Sequence, residues 1–214
     1  MSEPTERTTV RRLPEKAVTD RAVLDAILDE ALVAHLAVTE GDQPFVLPMA
    51  CARDGDRLLL HGSTGSRLMR ALASGAPTCA TVTLLDGLVY ARSAFESSMH
   101  YRSASILGRA SVVPQEEVVE ALRALTEHLL PGRWELLRAP QRKELAATMV
   151  LALPLREWSV KVGDGPPEDD PADLGADVWA GVLPLRTTAG PPRPAPDLAP
   201  GIGVPDHVRA RFPS

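Results

Sequence analysis

Apolar positions recur along this chain with two spacings, and the switches between them mark out its elements. Across residues 21–31, Val23, Leu24, Ile27, Leu28 and Ala31 fall on one face of a helix, and Asp20 stands where an N-cap belongs. The period then shortens toward two. Residues 33–39 and 45–52 read as strands about the turn Glu40-Gly41-Asp42, and 57–61 returns after the hairpin signal Asp54-Gly55-Asp56. Residues 66–74 are expected as a short helix with Leu68, Met69 and Leu72 inward, stopped by Gly75-Ala76-Pro77. Strands are predicted over 78–85, over 88–91 after a turn at Asp86-Gly87, and over 101–113. Pro114 breaks the last of these. Helices follow over 115–130 and 141–149, and 150–155 with 158–162 reads as a final strand. Short strands with frequent turn signals predict a mainly β fold with helices (α+β). The expected form is an antiparallel barrel or sandwich with helices at its rim, not a doubly wound parallel sheet.

The pattern fades after Gly163. More than half of the 20 prolines lie beyond it, and the acidic stretch 164–170 and the Pro/Gly/Ala tract 191–205 are rich in them. Residues 1–16 read as a flexible lead, 17–163 as the folded domain and 164–214 as a Pro/Gly-rich extension. Within the extension, 178–185 is expected to dock as a strap or edge strand.

Composition narrows the picture. Aromatics make up only 4% of the 214 residues, so the core must be built from Leu, Val, Ala and Ile. A net charge of -5 argues against a nucleic-acid binder. No apolar run is long enough to cross a membrane, and the polar, charged lead lacks the apolar centre of a signal peptide. Two cysteines, Cys51 and Cys79, make neither a disulfide framework nor a metal cluster. A cytoplasmic protein is expected.

The most informative segment is His61-Gly62-Ser63-Thr64-Gly65-Ser66-Arg67, followed at one helical turn by Arg70. A strand ends there in small, hydroxyl-bearing residues and a cation, and then opens a helix. Phosphate is held by such groups, although the spacing is not that of a P-loop or a Rossmann fingerprint. Pro48, inside a predicted strand, marks a place without a ladder donor, where something other than a strand lies alongside.

These features resemble the flavin-nucleotide-binding proteins of the pyridoxamine 5'-phosphate oxidase-like superfamily, in the branch that includes nitroimidazole-resistance proteins. The matching pieces are Ala34-His35-Leu36-Ala37-Val38, Pro44-Phe45-Val46-Leu47-Pro48-Met49, the segment from His61 to Arg67, and Tyr101-Arg102-Ser103 followed by Gly108-Arg109-Ala110. The resemblance implies an antiparallel split β-barrel that forms a homodimer, with FMN in grooves between the subunits. It implies that Val46, Leu47, Pro48 and Met49 run along the isoalloxazine ring. His61, Gly62, Ser63, Ser66 and Arg67 would surround the phosphate, and Tyr101, Arg102 and Ser103 would approach the flavin. Trp158 and Lys161 would lie near its edge. The chain departs from the oxidases themselves in following Arg67 with Leu68 and in lacking their substrate-phosphate site, which argues against a vitamin B6 enzyme.

The implied activity is an FMN-dependent oxidoreductase acting on a small organic acceptor, with His61 as a candidate proton donor. Two other readings stay open: the same scaffold holding deazaflavin F420 or haem, and a non-enzymatic flavin carrier or sensor. Of the other histidines, His35 is expected in the core and His100 beside the pocket.

Overall fold

The computed structural model describes residues 5–212. In chain order its elements are β1 (Ala17–Val18), α1 (Arg21–Glu30), β2 (Val33–Glu40), β3 (Gln43–Asp54), β4 (Arg57–Ser63), α2 (Arg67–Ala73), β5 (Pro77–Tyr90), β6 (Ser98–Arg109), β7 (Ser111–Val112), α3 (Val118–Leu129), α4 (Arg142–Ala147), β8 (Thr148–Pro154), β9 (Glu157–Gly163), β10 (Gly181–Pro184) and α5 (Asp206–Arg209). All strand pairs are antiparallel, in the order β1-β9-β6-β5-β2-β3-β4-β8-β7, with β10 added to β5.

The sheet is curled rather than flat. Val160 of β9 and Leu151 and Leu153 of β8 come from opposite ends of the strand order, yet share one core with Leu36, Leu58, Leu60 and Ile106. Where β6 meets β8 there is side-chain packing and no ladder: a Cβ at Gly108 would stand 3.2 Å from Leu153 Cδ1. Helix α1 plugs the core with Leu24, Ile27 and Leu28, all fully buried. Burying each such side chain contributes about 1.5–3 kcal/mol. Asp20 starts α1 by accepting from the Ala22 amide at 2.9 Å. On the opposite side of β3, β4 and β8, helix α3 covers a second cluster with Val118, Ala121 and Leu125 against Leu59 and Val150. The hairpins β2–β3 and β3–β4 turn at Gly41 (φ 62°) and Gly55 (φ 57°), where the left-handed backbone favours glycine.

Four local expectations are corrected. Asp86-Gly87 is no turn: β5 runs through it as one strand with a bulge, and Gly87 is small because β10 lies against it, the Leu183 carbonyl 3.2 Å from a Cβ placed there. The final strand is two, β8 pairing with β4 and β9 with β6. The helix over 115–130 opens with a 3-10 turn at Gln115–Glu117. His35 is exposed, because the alternation that buries Ala34, Leu36 and Val38 turns it to the outer face of the sheet.

Both flanking segments lie on this body. Thr5 Oγ1 donates to Glu157 Oε1 at 2.5 Å, and Arg7 pairs with the same carboxylate. In the extension, the nearly inaccessible Asp169 accepts from Arg92 Nη1 at 2.7 Å, and Trp179 packs on Tyr90 with ring centroids 5.6 Å apart.

Candidate functional site

Helix α2 is amphipathic in a way that prepares a site. Leu68, Met69 and Leu72 are buried against the core, which turns Arg67, Arg70 and Ser74 the other way. Ser66 is its N-cap, accepting from the Met69 amide. Gly62 lets α2 settle on β4, since a Cβ there would come within 2.8 Å of Met69 Cγ.

Between α2 and the β2–β3 hairpin lies a groove of about 500 Å³, lined by Thr39, Glu40, Phe45, Leu47, Ser66, Arg67 and Arg70 among others. The Arg67 guanidinium stands 4.2 Å over the Phe45 ring and 3.3 Å from a Glu40 oxygen, with its side chain 62% exposed. Strand β3 borders the groove with a free edge. Residues 43–50 pair only with β2, while β4 joins β3 from Cys51 onward. Pro48 lies on this edge, opposite His35. Two cations, an aromatic face, an apolar wall and an unpaired backbone edge together suit a flat molecule with an anionic tail.

Leu47, Ser66 and Arg67 of the sequence-predicted set line this groove, with Val46, Pro48 and Met49 on the bordering strand. His61, Gly62 and Ser63 do not line it. His61 pairs with Val150 and follows Leu59 by two, so it faces α3. Its Nδ1 is buried with no hydrogen-bond partner, and burial pushes its pKa down. Ser63 Oγ accepts from the Gly65 amide at 3.1 Å.

A second group gathers on the outer face of the sheet. The register sets Ser103 between Thr83 and Lys161, Tyr101 between Leu85 and Gly163, and His35 between Pro48 and Thr81. Lys161 Nζ donates to the Arg12 carbonyl at 3.1 Å.

Two predicted contacts are placed elsewhere. Arg102 turns to the opposite face from Tyr101 and Ser103. There it donates to Asp86 at 2.8 and 2.8 Å and to Glu30 at 2.6 and 3.0 Å, which occupies its guanidinium. Trp158 is 8% exposed and belongs to the core. Sequence reasoning missed Phe45 as the platform under Arg67 and Glu40 as its partner. The available signal was a phenylalanine, one of three in the chain, on the strand that carries Pro48. Among the described residues no cluster of His, Cys, Asp and Glu is arranged to hold a metal ion, and no helix is long and apolar enough to cross a membrane.

The family model for pyridoxamine 5'-phosphate oxidase matches residues 20–162. Among solved structures, the FAD and haem binding protein from Mycobacterium smegmatis is 46% identical, with a TM-score of 0.89 over 92% of this chain and 97% of that one. The flavocytochrome Anf3 from Azotobacter vinelandii is 41% identical, with a TM-score of 0.92 over 99% of each chain. A candidate 5-nitroimidazole antibiotic resistance protein from Bacteroides thetaiotaomicron shares the fold at 22% identity and a TM-score of 0.59, over 68% of this chain and 86% of that one. A search of the curated proteins finds no match.

Proposed function

Since the chain belongs to the pyridoxamine 5'-phosphate oxidase-like family, matched over residues 20–162, we propose that it is a flavin-binding redox protein that uses the groove beside α2. The observation that carries this reading is Arg67 poised over Phe45 at the free edge of β3. In this reading Arg67, Arg70 and Ser66 take the flavin phosphate, and the edge formed by Val46, Leu47, Pro48 and Met49 borders the isoalloxazine ring. The sequence resemblance implies FMN. Of the two relatives that match nearly the whole chain, the one from Mycobacterium smegmatis is named for FAD, which favours FAD, and the flavocytochrome's name gives a flavin without specifying it.

The functional unit in this proposal is a homodimer with a small-molecule redox substrate. Support comes from the apolar side chains left open on the sheet and its free edge: Val33, Val46, Leu47 and Leu85, with Val46 59% exposed. A second copy packed there covers them and brings its own outer-face residues to the groove.

A haem is the second reading, favoured by the names of the same two relatives and by the state of His35. His61 is held against α3, His100 Nε2 lies 2.8 Å from the Gly165 carbonyl, and His128 Nε2 lies 2.7 Å from the Ala31 carbonyl. His207, in the extension itself, has its Nε2 buried. His35 is exposed between Pro48 and Thr81, so its imidazole would be the one free to hold the haem iron. Haem, when bound, supplies one-electron chemistry.

The absorbance spectrum of the purified protein, with mass identification of the released cofactor, tests both readings. Flavin bands near one per chain are expected, and a colourless protein that neither FAD nor FMN restores overturns the flavin reading. A Soret band that disappears in His35→Ala supports the haem reading, and one that survives removes His35 from it. Reduced protein that reoxidises with nitro compounds or quinones no faster than free flavin is a carrier, not an enzyme.

A further inference from the structure

The C-terminal extension builds a second concave site that shares no lining residue with the flavin groove. After α3 the chain turns at Pro131-Gly132, and the extension returns at residues 189–192 and again at α5 to enclose about 490 Å³. Small-molecule sites run from about 300 to 1,000 Å³. Leu129, Leu130, Val208 and Phe212 make apolar walls.

The ionisable groups that line this pocket are Arg133, His207 and Arg211, and among the described residues no carboxylate lines it. That is unusual in a chain with a net charge of -5. Arg123 and Arg138, on either side in sequence, each pair with glutamates, whereas Arg133 has no ion-pair partner among the described residues. Arg211 Nη1 donates to the Leu129 carbonyl at 2.8 Å, which leaves its remaining donors available. The nearby Glu127 carboxylate is taken by the amides of Gly132 and Trp134, at 2.6 and 2.7 Å. His207 Nε2 is buried without a hydrogen-bond partner, and a buried polar atom left in that state is costly.

We propose that this pocket binds a small apolar carboxylate, of which a medium-chain fatty acid is the simplest example. The anion is recognised by Arg133, Arg211 and His207, and the hydrocarbon is sheltered between the end of α3 and the extension. A neutral alcohol of the same length forfeits the guanidinium contacts, and a quaternary ammonium is repelled by them.

The test is calorimetric titration of the full chain with decanoate, below its micelle concentration, beside decanol and decyltrimethylammonium. One saturable decanoate site per chain is expected, at least tenfold weaker in Arg133→Gln, and also weaker in Val208→Trp, which fills the pocket. Flavin-loaded protein should give the same decanoate affinity as the flavin-free protein. Absence of a saturable site, equal binding of decanol, unchanged affinity in Arg133→Gln, or competition with flavin would each overturn the proposal.

Discussion

Arg67 and Arg102 are both arginines that a sequence places near a cofactor, and the fold treats them in opposite ways. Arg67 is 62% exposed, stacked on Phe45, with a single glutamate oxygen at 3.3 Å. Arg102 is 28% exposed and donates four hydrogen bonds to Asp86 and Glu30. A guanidinium that is already satisfied by two carboxylates has little left for a ligand, and taking it away would strand the carboxylates. The difference is made by Glu30, which lies 72 positions from Arg102. Availability of a cation is therefore a tertiary property, and the two residues should separate cleanly into one that serves binding and one that serves stability.

The sharpest test of that separation is Arg67→Ala. Losing charge-assisted contacts worth about 1.5–3 kcal/mol should weaken flavin binding roughly tenfold to a hundredfold, with little change in the stability of the flavin-free protein. Flavin fluorescence titration measures it, and unchanged affinity would move the cofactor out of the groove. Arg102→Ala should do the reverse. A loss of about 1–2 kcal/mol in urea unfolding is expected, reduced by the partial exposure of the network, with flavin per chain unchanged.

The pH dependence sharpens the contrast further. Arg102 beside Asp86 holds that carboxyl below its ordinary value. A depressed carboxylate stabilises the fold above its unfolded pKa, about 3.9, and that contribution fades as pH falls through the lower, folded value. The stability gap between the native protein and Arg102→Ala should thus hold steady above about pH 5 and close progressively below about pH 4, as read from acid unfolding curves. The smallest effect belongs to Glu40→Gln. Freeing Arg67 from an exposed partner should tighten flavin binding only a few-fold, since such pairs are worth about 0–1 kcal/mol. A large loss of affinity would instead mean that Glu40 itself touches the cofactor.

Much of this was legible in the chain because it is local. The helix from Asp20, the hairpins at Gly41 and Gly55, and the strand, cap and helix around Ser66 each depend on a few neighbouring residues. What was not legible follows from strand alternation and from distance. His61 and Gly62 are adjacent in the motif but face opposite sides of β4, so a contiguous run of promising residues does not present them all to one ligand. The same alternation turns His35 outward beside buried Ala34 and Leu36, and that parity was readable from the pattern. The clamp on Arg102 and the platform under Arg67 were not, because each joins segments that only folding brings together.

The free edge of β3 carries one more consequence. Exposed strand edges are where chains recruit one another into aggregates, because unpaired amides and carbonyls invite another strand. Proline is tolerated in a ladder where its missing N–H would have pointed out of it, and here Pro44 and Pro48 recur four residues apart along the open stretch. An incoming strand needs a regular series of donors and meets gaps at both prolines. A planar ring needs only a few contacts and can use the donors that remain. With the flavin site proposed above, the border of the groove would double as a filter, open to a small molecule and resistant to runaway self-assembly.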